Sequence, residues 1–175
     1  MRLPALKHLI AAVQGIAASQ RIRVLGSSAL LGSFPELGEA NGPLEKTFDA
    51  DLLIEPCDEQ LAAVLHEAVG DGSLFAQRVG YHADILRLEI TETLSPGWES
   101  RLVPIDAARN VAALSAEDLL VVKLRTGRPK DLALCRDLLQ RKLVRPETLR
   151  ARLDATPLTE REIVAAYQRL REALE

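Results

Sequence analysis

The segment Phe48-Asp49-Ala50-Asp51-Leu52-Leu53-Ile54 holds the residues best suited to chemistry. Its apolar end predicts a buried strand over residues 47–55, and side chains on a strand alternate between faces. Asp49 and Asp51 therefore share one face, about 7 Å apart along the chain. Two carboxylates so placed repel each other unless a cation or a basic side chain lies between them. Hard oxygen donors at a strand end suit Mg2+; the plain alternative is a pair of solvated acids. Upstream, Val24-Leu25-Gly26-Ser27-Ser28 reads as a strand, a glycine and the first turn of a helix. Backbone N–H groups at such a turn attract phosphate, and glycine lets phosphate approach the backbone. The hydroxyls of Ser27 and Ser28 add donors. Alone, a Gly-Ser pair after a strand means only a capped turn; coupled to a following Asp-x-Asp strand it becomes specific. Ser27 is not a hydrolase nucleophile, because Gly26-Ser27-Ser28-Ala29 lacks the Gly-x-Ser-x-Gly elbow.

Further acids and bases bear on the same chemistry. Asp84 lies in the strand-like stretch Tyr81-His82-Ala83-Asp84-Ile85-Leu86, and Glu89 falls on the opposite strand parity. His82 shares the parity of Asp84 and is either a half-buried imidazole or a neighbour of the site. Lys123 and Arg128 have two readings. They contact phosphate, Arg as a bidentate fork and Lys as a point charge. Alternatively they form ion pairs with Asp49, Asp51 or Asp131 that hold the helices in place.

The elements that must position these residues follow from periodicity and punctuation. Residues 4–19 read as a helix with Leu6, Leu9, Ile10, Val13 and Ile16 or Ala17 on one face. Residues 21–25 form a short strand, and residues 32–46, with three glycines and two prolines, a loop. Asp58 caps a helix to residue 69. Residues 74–79 and 81–90 read as an antiparallel pair or one bent strand broken near Gly80, and residues 101–105 as a short strand. Trp98 anchors a turn beside Pro96 and Gly97. From Ser115, an N-cap followed by Glu117 and Asp118, the pattern turns helical. Gly127 ends the first of four helices, and Pro129, Pro146 and Thr159 begin the others. The expected class is α+β, a small mixed sheet with flanking helices over residues 1–114 followed by a C-terminal helical region over residues 115–175.

Taken together, Gly26-Ser27 at the end of the first strand, Asp49 and Asp51 in the second, and Asp84 in a later one resemble the nucleotidyltransferase fold shared with polymerase β. The likeness extends through the Lys123-Leu124-Arg125-Thr126-Gly127-Arg128-Pro129-Lys130-Asp131 stretch. There the chain looks like a group of largely uncharacterised bacterial nucleotidyltransferase-like proteins, similar to abortive-infection toxin nucleotidyltransferases. The resemblance implies Mg2+ held by Asp49, Asp51 and Asp84, with Asp84 as base or third ligand. It implies a nucleoside triphosphate as substrate, its phosphates met by Gly26, Ser27, Ser28, Lys123 and Arg128. The acceptor would be a hydroxyl of a protein, an RNA end or a small molecule, and a cognate toxin or antitoxin is an implied partner. The rival class is a degenerate member that binds without catalysis. Between Ser27 and Asp49 lie 21 residues, a longer loop than the broader superfamily carries.

Composition narrows the field further. The 175 residues are 47% hydrophobic and 27% charged, as in ordinary folded proteins. A chain of this length buries roughly 70% of its unfolded surface and needs no metal or disulfide to fold. Aromatics are only 3%, against a stacking platform for single-stranded nucleic acid. The net charge of −3 disfavours a globally basic nucleic-acid binder. That charge is uneven: residues 1–116 hold nine basic and fifteen acidic side chains, whereas residues 121–152 hold ten basic and three acidic. Cys57 and Cys135 match no metal spacing and read as unpaired thiols in a reducing cytoplasm. No run of about 18 apolar residues predicts a membrane span, and the N-terminal helix lacks the pattern of a signal peptide.

Overall fold

Five strands make one mixed sheet in the computed structural model, which describes residues 1–106 and 110–175. They are β1 (Arg21–Val24), β2 (Asp49–Glu55), β3 (His82–Leu86), β4 (Val103–Asp106) and β5 (Val111–Ala113), in the order β3-β2-β1-β5-β4. β1 runs antiparallel to β2 and parallel to β5, β2 and β3 are parallel, and β4 and β5 are antiparallel. The helices are α1 (Leu3–Ile16), α2 (Glu59–Val69), α3 (Leu74–Val79), α4 (Ala116–Thr126), α5 (Pro129–Gln140), α6 (Pro146–Ala155) and α7 (Glu160–Leu174). The protein is thus α+β, with a mixed sheet, flanking helices and C-terminal helices. Among the described residues no helix is long and apolar enough to cross a membrane.

The chain divides into two compact units, Met1–Leu88 with Leu102–Leu114, and Glu89–Arg101 with Ser115–Glu175. In the first, α1 buries Leu6, Leu9, Ile10 and Val13 of the stripe its spacing predicts; of the two candidates that close it, Ala17 is buried and Ile16 exposed. Ile22, Val24, Ala50, Leu52 and Ala83 are fully buried in the sheet. Leu53 and Ile54 are buried as well, so the second half of β2 is covered on both faces. The residues between β1 and β2 are anchored rather than loose: Leu37 and Leu44 are buried, and Leu44 N–H donates to the Leu37 carbonyl at 2.9 Å. Short 3-10 turns at Ser27–Gly32 and Pro35–Gly38 give that stretch further order.

One expected strand is a helix. Residues 74–79, expected to pair with residues 81–90 or to form one bent strand with them, form α3. The Ser73 hydroxyl accepts from Ala76 N–H at 3.1 Å, and Gly80 ends the helix at φ +79°. A serine cap and a left-handed glycine seven positions apart close a short helix, and Leu74, Ala76, Gln77 and Arg78 between them are good helix formers. The short strand β5 follows no sequence signal; its Ile22, Arg23 and Val24 partners supply the ladder.

The second unit is organised by two buried carboxylates, of which Asp118 is the better enclosed. The Ser115 hydroxyl caps α4 by accepting from Asp118 N–H at 3.3 Å and donates to Asp118 Oδ2 at 2.6 Å. Arg101 grips the same carboxylate with two bonds of 2.9 and 2.8 Å, and Arg152 Nε stands 3.8 Å from it. Beside this pair the buried hydroxyls of Ser95 and Thr156 meet at 2.7 Å. α7 joins the unit through a full capping box at Thr159 and Glu162 and through Arg169, which donates to the carbonyls of Leu124 and Arg125 at the end of α4. Gly127 is required there: its φ is +70°, and a Cβ would fall 2.2 Å from the Arg169 guanidinium carbon. Trp98 is buried, as expected of an anchor.

Replacing one partner of a buried ion pair strands the other, a cost of about 3 kcal/mol or more. Arg101→Met is therefore expected to lower the urea-unfolding free energy by about that amount. A loss under about 1 kcal/mol, typical of exposed pairs, would contradict the role given to Asp118.

Candidate active site

The parallel register of β2 and β3 sets Asp49 beside His82 and Asp51 beside Asp84. Partners in register project from the same face, so four polar side chains form a two-by-two block. One carboxylate oxygen from each of Asp49, Asp51 and Asp84 lies within 4.8 Å of the other two. All three acids are half-buried, and the Asp84 side chain is 48% exposed. Three carboxylates at this spacing repel one another, and a cation among them relieves that repulsion. Oxygen-only donors match a hard divalent ion.

The Gly-Ser turn meets the acids through its backbone. A Cβ on Gly26 would stand 1.6 Å from Asp51 Oδ2 and 2.5 Å from Asp51 Cγ, so glycine is the residue that leaves room for this carboxylate. Leu25 N–H donates to the Asp51 carbonyl at 2.9 Å, fixing the two strand ends together. The sequence indicated that glycine admits phosphate; its approach to Asp51 was not visible without the pairing of β1 and β2. Ser27 is half-buried. Ser28 is 1% exposed, and its hydroxyl is buried without a hydrogen-bond partner.

His82 lies on the acid face, its Nε2 3.6 Å from Asp84 Oδ1. Glu89, the rival third acid, lies in the 3-10 turn Leu88–Thr93 and is exposed. In the second unit Lys123 and Arg128 both engage Asp131, at 2.8 Å from Oδ1 and 2.6 Å from Oδ2 respectively. Asp131 is 1% exposed. Burial works to raise its pKa, but the hydrogen bonds from Arg128 and Lys123 outweigh burial and hold the carboxyl below its ordinary range. Burial also pushes the Cys135 thiol up to about 12, with Asp131 adding to the effect, and pushes Cys57 up. Neither thiol has the depressed pKa of a nucleophile.

A mixed sheet with a Gly-Ser turn after its first strand, an Asp-x-Asp in the second and a further Asp on the parallel neighbour is consistent with a nucleotidyltransferase-like fold. Residues 1–171 match the family described as nucleotidyltransferase of unknown function (DUF6036), and the chain belongs to that family. Comparison with curated proteins and with solved structures gives no match.

Gly26→Ala tests the close approach. Its φ of −86° suits any residue, so the fold is expected to survive within about 1 kcal/mol. The added methyl displaces the Asp51 carboxylate, and Mn2+ affinity measured by isothermal titration is expected to fall roughly tenfold or more. Unchanged affinity would show that Asp51 does not need this space.

Proposed function

We propose that this protein is a divalent-metal-dependent nucleotidyltransferase that moves a nucleotidyl group from a nucleoside triphosphate to a hydroxyl acceptor, the α-phosphorus bond to the acceptor oxygen replacing its bond to pyrophosphate, which leaves. The observation that carries the reading is the convergence of Asp49, Asp51 and Asp84 on one sheet face, in a chain of a nucleotidyltransferase family. Three features fit a hard cation and a phosphate: an all-oxygen donor set, the cradle at Gly26 that a Cβ would fill, and the orphaned hydroxyl of buried Ser28.

Asp49, Asp51 and Asp84 would hold Mg2+. When bound, the ion supplies charge neutralisation at the phosphates and lowers the pKa of a hydroxyl brought to it. Asp84, the acid with half its side chain in solvent, would accept the proton of the acceptor hydroxyl. Gly26 keeps the Asp51 carboxylate close to the turn, and Gly26, Ser27 and Ser28 bind phosphate there. The acceptor class is a hydroxyl on a protein, an RNA end or a small molecule. In the toxin–antitoxin setting that the resemblance implies, a cognate protein would be the partner.

Isothermal titration with Mg2+ and each of the four ribonucleoside triphosphates tests this reading. Binding of at least one triphosphate is expected in the presence of Mg2+, and Asp49→Ala with Asp51→Ala is expected to abolish it while leaving the folded far-ultraviolet spectrum intact. Absence of binding to all four would refute the reading.

A further inference from the structure

We infer that His82 is a positioning residue that orients the Asp84 carboxylate, an assignment that rests on the metal-binding reading above. Four observations carry it. The register of β2 and β3 pairs His82 with Asp49, so the imidazole leaves the sheet on the face of the three acids. Its backbone is fixed in that position, because His82 N–H donates to the Phe48 carbonyl at 2.9 Å. Its Nε2 lies 3.6 Å from Asp84 Oδ1. Finally, the imidazole is the better shielded of the two, 20% exposed against 48% for Asp84.

The chemistry follows from the two oxygens of a carboxylate. Asp84 hangs from β3 at an edge of the sheet, since β3 is the last strand in the order. Half in solvent, its carboxylate is free to rotate about χ2, a broad torsion. Rotation costs a metal site affinity, because each ligand must be ordered when the ion arrives. An N–H held beside one oxygen removes most of that freedom and leaves the second oxygen for an ion. At 3.6 Å the contact is longer than a formed hydrogen bond. Such contacts commonly tighten when the ligand binds. The donor role needs only a proton on Nε2, which both the imidazolium and one neutral tautomer provide. His82 is therefore not a metal ligand in this account, and it does not touch the reacting atoms.

Mn2+ titration of three proteins tests the inference, together with thermal unfolding of each in the absence of metal. Partners that orient metal-binding carboxylates or imidazoles are typically worth 10- to 100-fold in affinity. His82→Ala is expected to weaken Mn2+ binding roughly tenfold. His82→Gln places an amide N–H at similar reach and is expected to recover affinity to within about threefold of the parent. The metal-free melting temperatures are expected to coincide. Parent-like affinity in His82→Ala would overturn the positioning role while leaving the metal site standing. A lower melting temperature in both variants, with no recovery in His82→Gln, would make His82 a packing residue and overturn the role as well. Failure of the parent protein to bind Mn2+ would overturn the metal reading and this inference with it.

Discussion

Holding three carboxylates within 4.8 Å on one sheet face is the constraint on which the first unit depends. Like charges at that distance separate unless the backbone forbids it. The parallel register of β2 and β3 forbids it, because a slip of one residue would turn Asp84 to the opposite face. That register is set by what lies beneath. Ala83 is fully buried with Ala50 and Leu52 on the face opposite the acids, and the same slip would turn Ala83 out of that face. Hydrophobic burial in the strands thus sustains an unfavourable electrostatic arrangement above them. Gly26 completes it by yielding the space a side chain would occupy to Asp51.

The second unit treats its acids differently. Asp118 and Asp131, both all but inaccessible to solvent, are matched by guanidinium and ammonium groups at 2.6–2.9 Å. The basic stretch over residues 121–152 accordingly forms no uniform cationic surface. Of its ten basic residues, six are engaged within the unit: Lys123 and Arg128 with Asp131, Arg125 with Glu162, Arg141 with Asp137, Arg152 near Asp118, and Arg136 with the Glu172 carbonyl. These pairings link α4, α5, α6 and α7 and convert a charge excess in the sequence into internal cross-links.

Periodicity and caps made the helices legible. Asp58, Ser115 and Thr159 each cap the helix they were expected to begin, and Gly127 ends α4 where expected. The acid pair was legible because a strand alternates, and Asp84 because its parity could be counted from its apolar neighbours. What the sequence hid has physical causes. α3 is hard to read because six residues are too few to show a helical period, while its caps lie outside it. β5 is three residues long and owes its existence to partners in β1 and β4. The clasp between Arg101 and Asp118 joins residues seventeen positions apart, beyond the reach of any local pattern. The approach of Gly26 to Asp51 likewise exists only once β1 and β2 are paired.

The account stands or falls on what occupies the space among Asp49, Asp51 and Asp84. Crystals grown or soaked with Mn2+ and a non-hydrolysable nucleoside triphosphate, measured for anomalous scattering from manganese, address it directly. The predicted result is an anomalous peak within coordinating distance of all three carboxylates, with phosphate density reaching the Gly26-Ser27 turn. Well-ordered crystals with no peak at the three acids, or with manganese bound elsewhere on the chain, would contradict it.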